Sequence, residues 1–242
     1  EYKKNGLNTR VQHRRDAHAD HGVADLGTSL DKQITAAIAL GKAAASPEDI
    51  ALAGQVIDKS LLVYFHAAMY GILHEGKSTS ADEATTIFGL GPDGTTGQGL
   101  AKAALARDKG FSKTLTFEII KLLKEIKKDK TRLEPLDGLL AHTLLLCVLE
   151  EVEGAVAELE KDVPIESAIT EKLVEARVYW EAVAPYTRRQ NLDANGFYVL
   201  LYPKITLVRT NPSFFLSGKK YLASADVTAM KTALEYMLKN AF

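Results

Sequence analysis

The chain has 242 residues, 46% of them hydrophobic and 25% charged, with a formal net charge of -1. This composition is ordinary for a globular protein, and the length suffices for one large domain or two small ones. The near-neutral balance gives no global field toward nucleic acid or an anionic membrane, and the single Cys147 excludes an internal disulfide.

Residues 1–22 read as a polar N-terminal arm. It carries the run HRRDAHADH, in which His13, His18 and His21, three of the chain's six histidines, alternate with Asp16 and Asp20. Imidazole and carboxylate together suit borderline divalent metals and iron. On a helix, His13, Asp16 and Asp20 share one face and His18 and His21 another. Without a metal, the same residues make a solvated arm. The chain starts at Glu1 rather than Met; that start fits a processed mature protein or a shortened chain, and the former carries the expectation of an extracellular or periplasmic location.

From Val23 to Ala45, Leu26, Leu30, Ile34, Ala37, Ile38 and Gly41 recur at helical spacing. Ser46-Pro47-Glu48-Asp49 then gives an N-cap, a proline at the first helical position and acids in the first turn. The helix it opens is predicted to run to about His74, facing inward with Ile50, Ala53, Ile57, Leu61, Tyr64, Phe65, Ala68 and Ile72, and to end at Gly76. Lys59 and His66 interrupt its apolar stretch, so no segment is read as membrane-spanning. A short helix follows from Ser80 to Phe88, then the loop GLGPDGTTGQG. Gly89, Gly91 and Gly94 match G-x-G-x-x-G literally, but the run follows a helix rather than a strand and Pro92 removes an N–H, so turn chemistry is the reading.

Helices are predicted over Leu100–Lys109 and Thr114–Lys130, the latter with Leu115, Ile119, Leu122, Leu123 and Ile126 as its stripe. The lysines from Lys121 to Lys130, with Arg132, are interleaved with Glu118 and Glu125 and lack aromatic neighbours, which favours a solvated face over nucleic-acid binding. Pro135 restarts the chain, and Leu136–Leu159 is apolar nearly all round as far as Glu150, enclosing His142 and Cys147 as core residues. Glu150, Glu151 and Glu153, then Glu158 and Glu160, and the pair Glu171 and Glu175 read mostly as solvated helix faces, with a few able to supply hard oxygen ligands to ferric iron or calcium. Pro164 opens the next helix and Pro185 closes it. Asn191–Tyr202 reads as helical or partly extended and Pro203–Leu222 as the least regular stretch, with KITLVRT as a short strand or extended arm; the aromatics Tyr198, Tyr202, Phe214, Phe215 and Tyr221 either pack on the core or dock into a neighbouring subunit. A last helix, Ala225–Asn240, turns Val227, Met230, Ala233, Leu234, Met237 and Leu238 inward.

The expected fold is an all-α bundle of six to eight helices, with residues 23–242 as one helical domain that would divide, if anywhere, near 131–135. His66 and His74 lie about two turns apart on one helix with Glu75 beside His74, a second candidate ligand set; His66 reads equally as a core histidine. No G-x-S-x-G is present, and His74-Glu75 is followed by Gly76, Lys77 and Ser78 rather than by the spacing of H-E-x-x-H, so no enzyme is expected.

Several blocks carry a resemblance. They are Asp82-Glu83-Ala84 with Ile87-Phe88-Gly89, the glycine-rich gap, Leu100-Ala101-Lys102-Ala103-Ala104, and Arg107-Asp108-Lys109-Gly110-Phe111. Glu175-Ala176-Arg177-Val178-Tyr179-Trp180 through Ala184-Pro185 and the closing helix follow in the same order. Together they resemble the secreted iron-assimilating protein family of algae, also described as high-CO2-inducible periplasmic proteins. The chain departs from that family in having one cysteine, and the family's acidic and histidine-rich ligands do not map onto it position by position, so the resemblance assigns no site residue. It implies a helical, extracellular or periplasmic, non-enzymatic protein associated with iron. The expected function is therefore binding of iron or another transition metal through His13, Asp16, His18, Asp20 and His21, with His66, His74 and Glu75 second. The alternative is a structural subunit of a surface homo-oligomer or filament, assembled through the arm and the Tyr198–Tyr221 region.

Overall fold

A computed structural model describes residues 26–44, 46–108, 115–189 and 224–240. The described residues form eight α-helices: α1 (Leu26–Ala43), α2 (Pro47–Glu75), α3 (Ser80–Phe88), α4 (Gly99–Asp108), α5 (Leu115–Glu125), α6 (Leu133–Leu159), α7 (Glu166–Arg189) and α8 (Ser224–Asn240). A 3-10 turn, Lys130–Arg132, precedes α6. Among the described residues there is no strand, only an isolated bridge between Leu90 and Gly97. The all-α class and the helix count are as expected. The arm 1–22 and the aromatic region 190–223 lie outside the described residues.

The chain divides into two compact units, one containing residues up to Asp31 and Leu61–Leu144, the other Lys32–Ser60 and Leu145 onward. Residues 131–135 lie inside the first unit. In that unit α3, α4 and α5 pack on one another, burying Phe88, Leu100, Ile119 and Leu123. In the second, Ala37 of α1, Leu52 and Val56 of α2 and Val174 of α7 form an apolar cluster with Ile57 against it.

Local chemistry explains most boundaries. Ser46 Oγ accepts the Asp49 N–H at 3.1 Å, capping α2 as its sequence predicts. Ser46→Ala is expected to lower stability by about 1 kcal/mol, measured by urea unfolding; no change would mean that solvent satisfies the Asp49 N–H equally well. Gly76, at φ 65, ends α2 in a conformation that a Cβ disfavours. Pro135 falls within the first turn of α6, which starts two residues earlier at Leu133, where no intrahelical N–H partner is needed.

Two expectations are corrected. α7 does not stop at Pro185 but runs through it to Arg189. Proline's fixed φ is helical, so one proline costs the helix an N–H and a steric adjustment without ending it. The predicted inward face of α2 is also only partly right, because Ile50, Leu61 and Phe65 are 54%, 42% and 38% exposed. The buried stripe is Leu52, Ala53, Val56, Ser60 and Val63, and from His66 to Leu73 every residue is buried. A helix buried all round has no single apolar face for periodicity to find. By length and composition α2 is long and apolar enough to cross a membrane despite Lys59 and His66, and 61% of its most apolar stretch is buried within the fold. In α8, by contrast, all six predicted inward residues are buried.

Candidate functional site

The first-ranked ligands, His13, Asp16, His18, Asp20 and His21, lie outside the described residues. The second set is not brought together. His66 is buried in α2 at 2% exposure. Glu75, at the C-terminus of α2, meets the Lys77 ammonium at 2.6 Å. Among the described residues no group of three or more His, Cys, Asp or Glu is arranged to hold a metal ion.

His74 instead finds a partner absent from the sequence reading. Its Nε2 lies 3.2 Å from Oδ2 of Asp137, which α6 holds almost fully buried. Tyr70, one turn earlier on α2, lays its ring against the imidazole, with centroids 4.0 Å apart and planes inclined by 30°. Asp137 Oδ1 has no hydrogen-bond partner among the described residues. With Asp137 ionised and the ring neutral, Nε2–H donates a hydrogen bond to Oδ2 and Nδ1 keeps its lone pair. A carboxylate that fixes the tautomer in this way makes the opposite nitrogen a competent metal ligand or proton acceptor. The signal in the sequence is a lone aspartate beside the apolar run that Leu136 opens. His142, five residues on, is a different case: burial holds its pKa down at about 4, so the ring is neutral at physiological pH.

A second polar cluster lies in the second unit, and it corrects the solvated reading for Glu151 and Glu175, while Glu150 and Glu153 are exposed as expected. Glu175 and Glu151 are 2% and 7% exposed. Lys172 Nζ stands 2.8 Å from Glu151 Oε2 and 3.8 Å from Glu175 Oε2, and Lys59 Nζ is 3.6 Å from Glu175 Oε2. Burial, then the hydrogen bond and charge of Glu151, push Glu175 up to about 7 against the opposing effect of Lys59 and Lys172. Burial alone would lower the Lys172 pKa, but the hydrogen bond to Glu151 and the charges of Glu151, Glu175 and Glu171 offset it and leave Lys172 above its ordinary value. Alongside, Arg177 donates to Gln33 Oε1 at 2.8 Å, and Gln33 Nε2 donates to Ser60 Oγ at 2.7 Å. Gln55 donates to Glu171 at 3.0 Å. The sequence signal is the stretch VEARVYW, where charges sit between apolar residues on both sides.

The glycine-rich loop spends its amides on itself. Asp93 Oδ1 accepts the N–H groups of Thr95 and Thr96 at 3.1 and 3.0 Å and the Thr96 hydroxyl at 2.8 Å. The Thr96 hydroxyl, then the two amides, hold the Asp93 carboxyl down at about 2. This is an Asx-type turn. Part of the basic face on α5 and after it is paired with acids: Lys121 with Glu118, Lys127 with Asp82, and Arg132 with Glu125 and Asp129.

Compared with protein-family models, with curated proteins and with solved structures, the chain matches none.

Proposed function

We propose that this chain is a non-enzymatic helical protein that binds iron or another transition metal at or near the cell surface, outside the cytoplasm. One observation carries the reading: the concentration of His13, Asp16, His18, Asp20 and His21 in a single short run. That donor mixture suits borderline divalent metals and iron. Two further features support it. The sequence blocks described above resemble the algal iron-assimilating family, and His74 is oriented by a buried carboxylate as metal-binding imidazoles commonly are. Glu75 is next to it in the chain, but its carboxylate is engaged by Lys77 and a metal would have to draw it away. His66 ranks last, since a metal would have to enter the buried part of α2 to reach it.

The test is titration of the full chain with ferrous iron, ferric iron and zinc, read by calorimetry and by elemental analysis after desalting. The wild-type protein is expected to hold about one equivalent, and the double substitution His18→Ala, His21→Ala to lose it with the far-ultraviolet circular dichroism unchanged. Binding that survives the double substitution removes both histidines as ligands. No binding of any of the three ions overturns the function.

A further inference from the structure

Glu151 and Glu175 both approach one ammonium, that of Lys172, and it lies an ångström closer to Glu151, at 2.8 against 3.8 Å. The other cation near Glu175, Lys59, stands 3.6 Å away and is shared with the exposed Asp58 at 3.5 Å. Glu175 is thus a buried carboxyl without an ammonium at hydrogen-bond distance, drawn with the buried Glu151 to the same Lys172 ammonium. A proton held between two buried carboxyls relieves the repulsion they would otherwise have at a single close ammonium. Other charged groups on the neighbouring elements have partners of their own, and Glu171 also lends its charge to Lys172. On α7, Glu171 accepts from Gln55 of α2 and Arg177 donates to Gln33 of α1; on α6, Glu153 faces Lys231 of α8 at 3.4 Å.

We infer that Glu151 and Glu175 share one proton in the folded protein, and that this proton fastens α7 to α6 and makes the second unit sensitive to pH. Once it leaves, two buried carboxylates face each other across a single close ammonium, and the contact between α6 and α7 loosens. Burial and the neighbouring Glu151 set the release at about pH 7. The sign follows from linkage. A carboxyl raised from 4.5 to about 7 takes up a proton on folding, so its share of stability is fully present below about pH 4.5 and is lost as pH rises through 7.

The test compares the full-length wild type with Glu175→Gln, which keeps a donor toward Glu151 and cannot ionise. Urea unfolding of both proteins is measured from pH 5 to pH 8. The ratio of their unfolding constants, wild type over variant, is expected to rise at least tenfold across that range. Other titrating groups, His142 among them, act on both proteins and cancel in the ratio. A ratio that does not change with pH overturns the inference. If the variant does not fold, infrared spectroscopy of the wild type decides: a protonated-carboxyl band at pH 6 that is gone by pH 8.5 supports the shared proton, and its absence at pH 6 overturns it.

Discussion

Trp180→Ala is expected to destabilise the protein by about 3–5 kcal/mol, the range for removing a fully buried large aromatic. Trp180 is the chain's only tryptophan and is 1% exposed. It sits on α7 among Val178, Tyr179, Ala182 and Val183, all buried themselves. Removing the indole forfeits its transfer from water and leaves a void that helix backbones cannot close, because interiors are packed as densely as organic crystals. Trp180→Phe, which refills part of the space, is expected to cost about half as much. The measurement is denaturant unfolding followed by circular dichroism, since the substitution removes the fluorescent probe. A cost under about 1 kcal/mol would place the indole at a site that relaxes freely, which its burial does not suggest.

Gly89→Ala carries the second large effect, about 2–4 kcal/mol. Gly89 closes α3 at φ 83, in the left-handed region, and its N–H reaches back to the Thr85 carbonyl. An alanine there meets two penalties. The left-handed conformation itself costs about 1–2 kcal/mol for a residue with a Cβ. The added carbon would also stand 2.7 Å from the Gln98 carbonyl oxygen. That oxygen cannot easily retreat, since the Gln98 N–H is bonded to the Gly89 carbonyl at 2.9 Å. Gly94 supplies the control: at φ 67 a Cβ would meet nothing within 4 Å, so Gly94→Ala should lose only the conformational part, about 1 kcal/mol. Equal losses for the two variants would show that the loop accommodates the contact at Gly89.

The parts of this fold that its sequence discloses are those governed by neighbours in the chain. The cap at Ser46, the glycine stop at Gly76 and the inward face of α8 depend on residues within a turn or two, and each is where the spacing puts it. Spacing fails where burial is not one-sided, as along His66–Leu73 of α2, and where a helix tolerates its own Pro185. It is silent about pairs made by tertiary contact. His74 and Asp137 are 63 residues apart, Gln33 and Arg177 144 apart, so neither pair leaves a local pattern. What could be read was narrower: a charge set among apolar residues on both sides, at Asp137, Glu175 and Arg177, marks a buried partnered group without naming the partner. The metal-binding proposal rests mainly on a different kind of information, the local density of donors at residues 13–21, to which the helices add only the oriented His74.

Both units are discontinuous in the chain, and this has a consequence for how the protein is made. The first is complete once Leu144 has been synthesised, whereas Lys32–Ser60 must await the residues after Leu145. Gln33 waits for Arg177 across 144 residues, roughly 7–30 s at ordinary translation rates. Through that interval Ala37, Leu52 and Val56 lack the Val174 side of their cluster. The nascent chain therefore carries an apolar surface whose natural cover has not yet been translated, the state in which holding chaperones bind and slowed elongation favours aggregation.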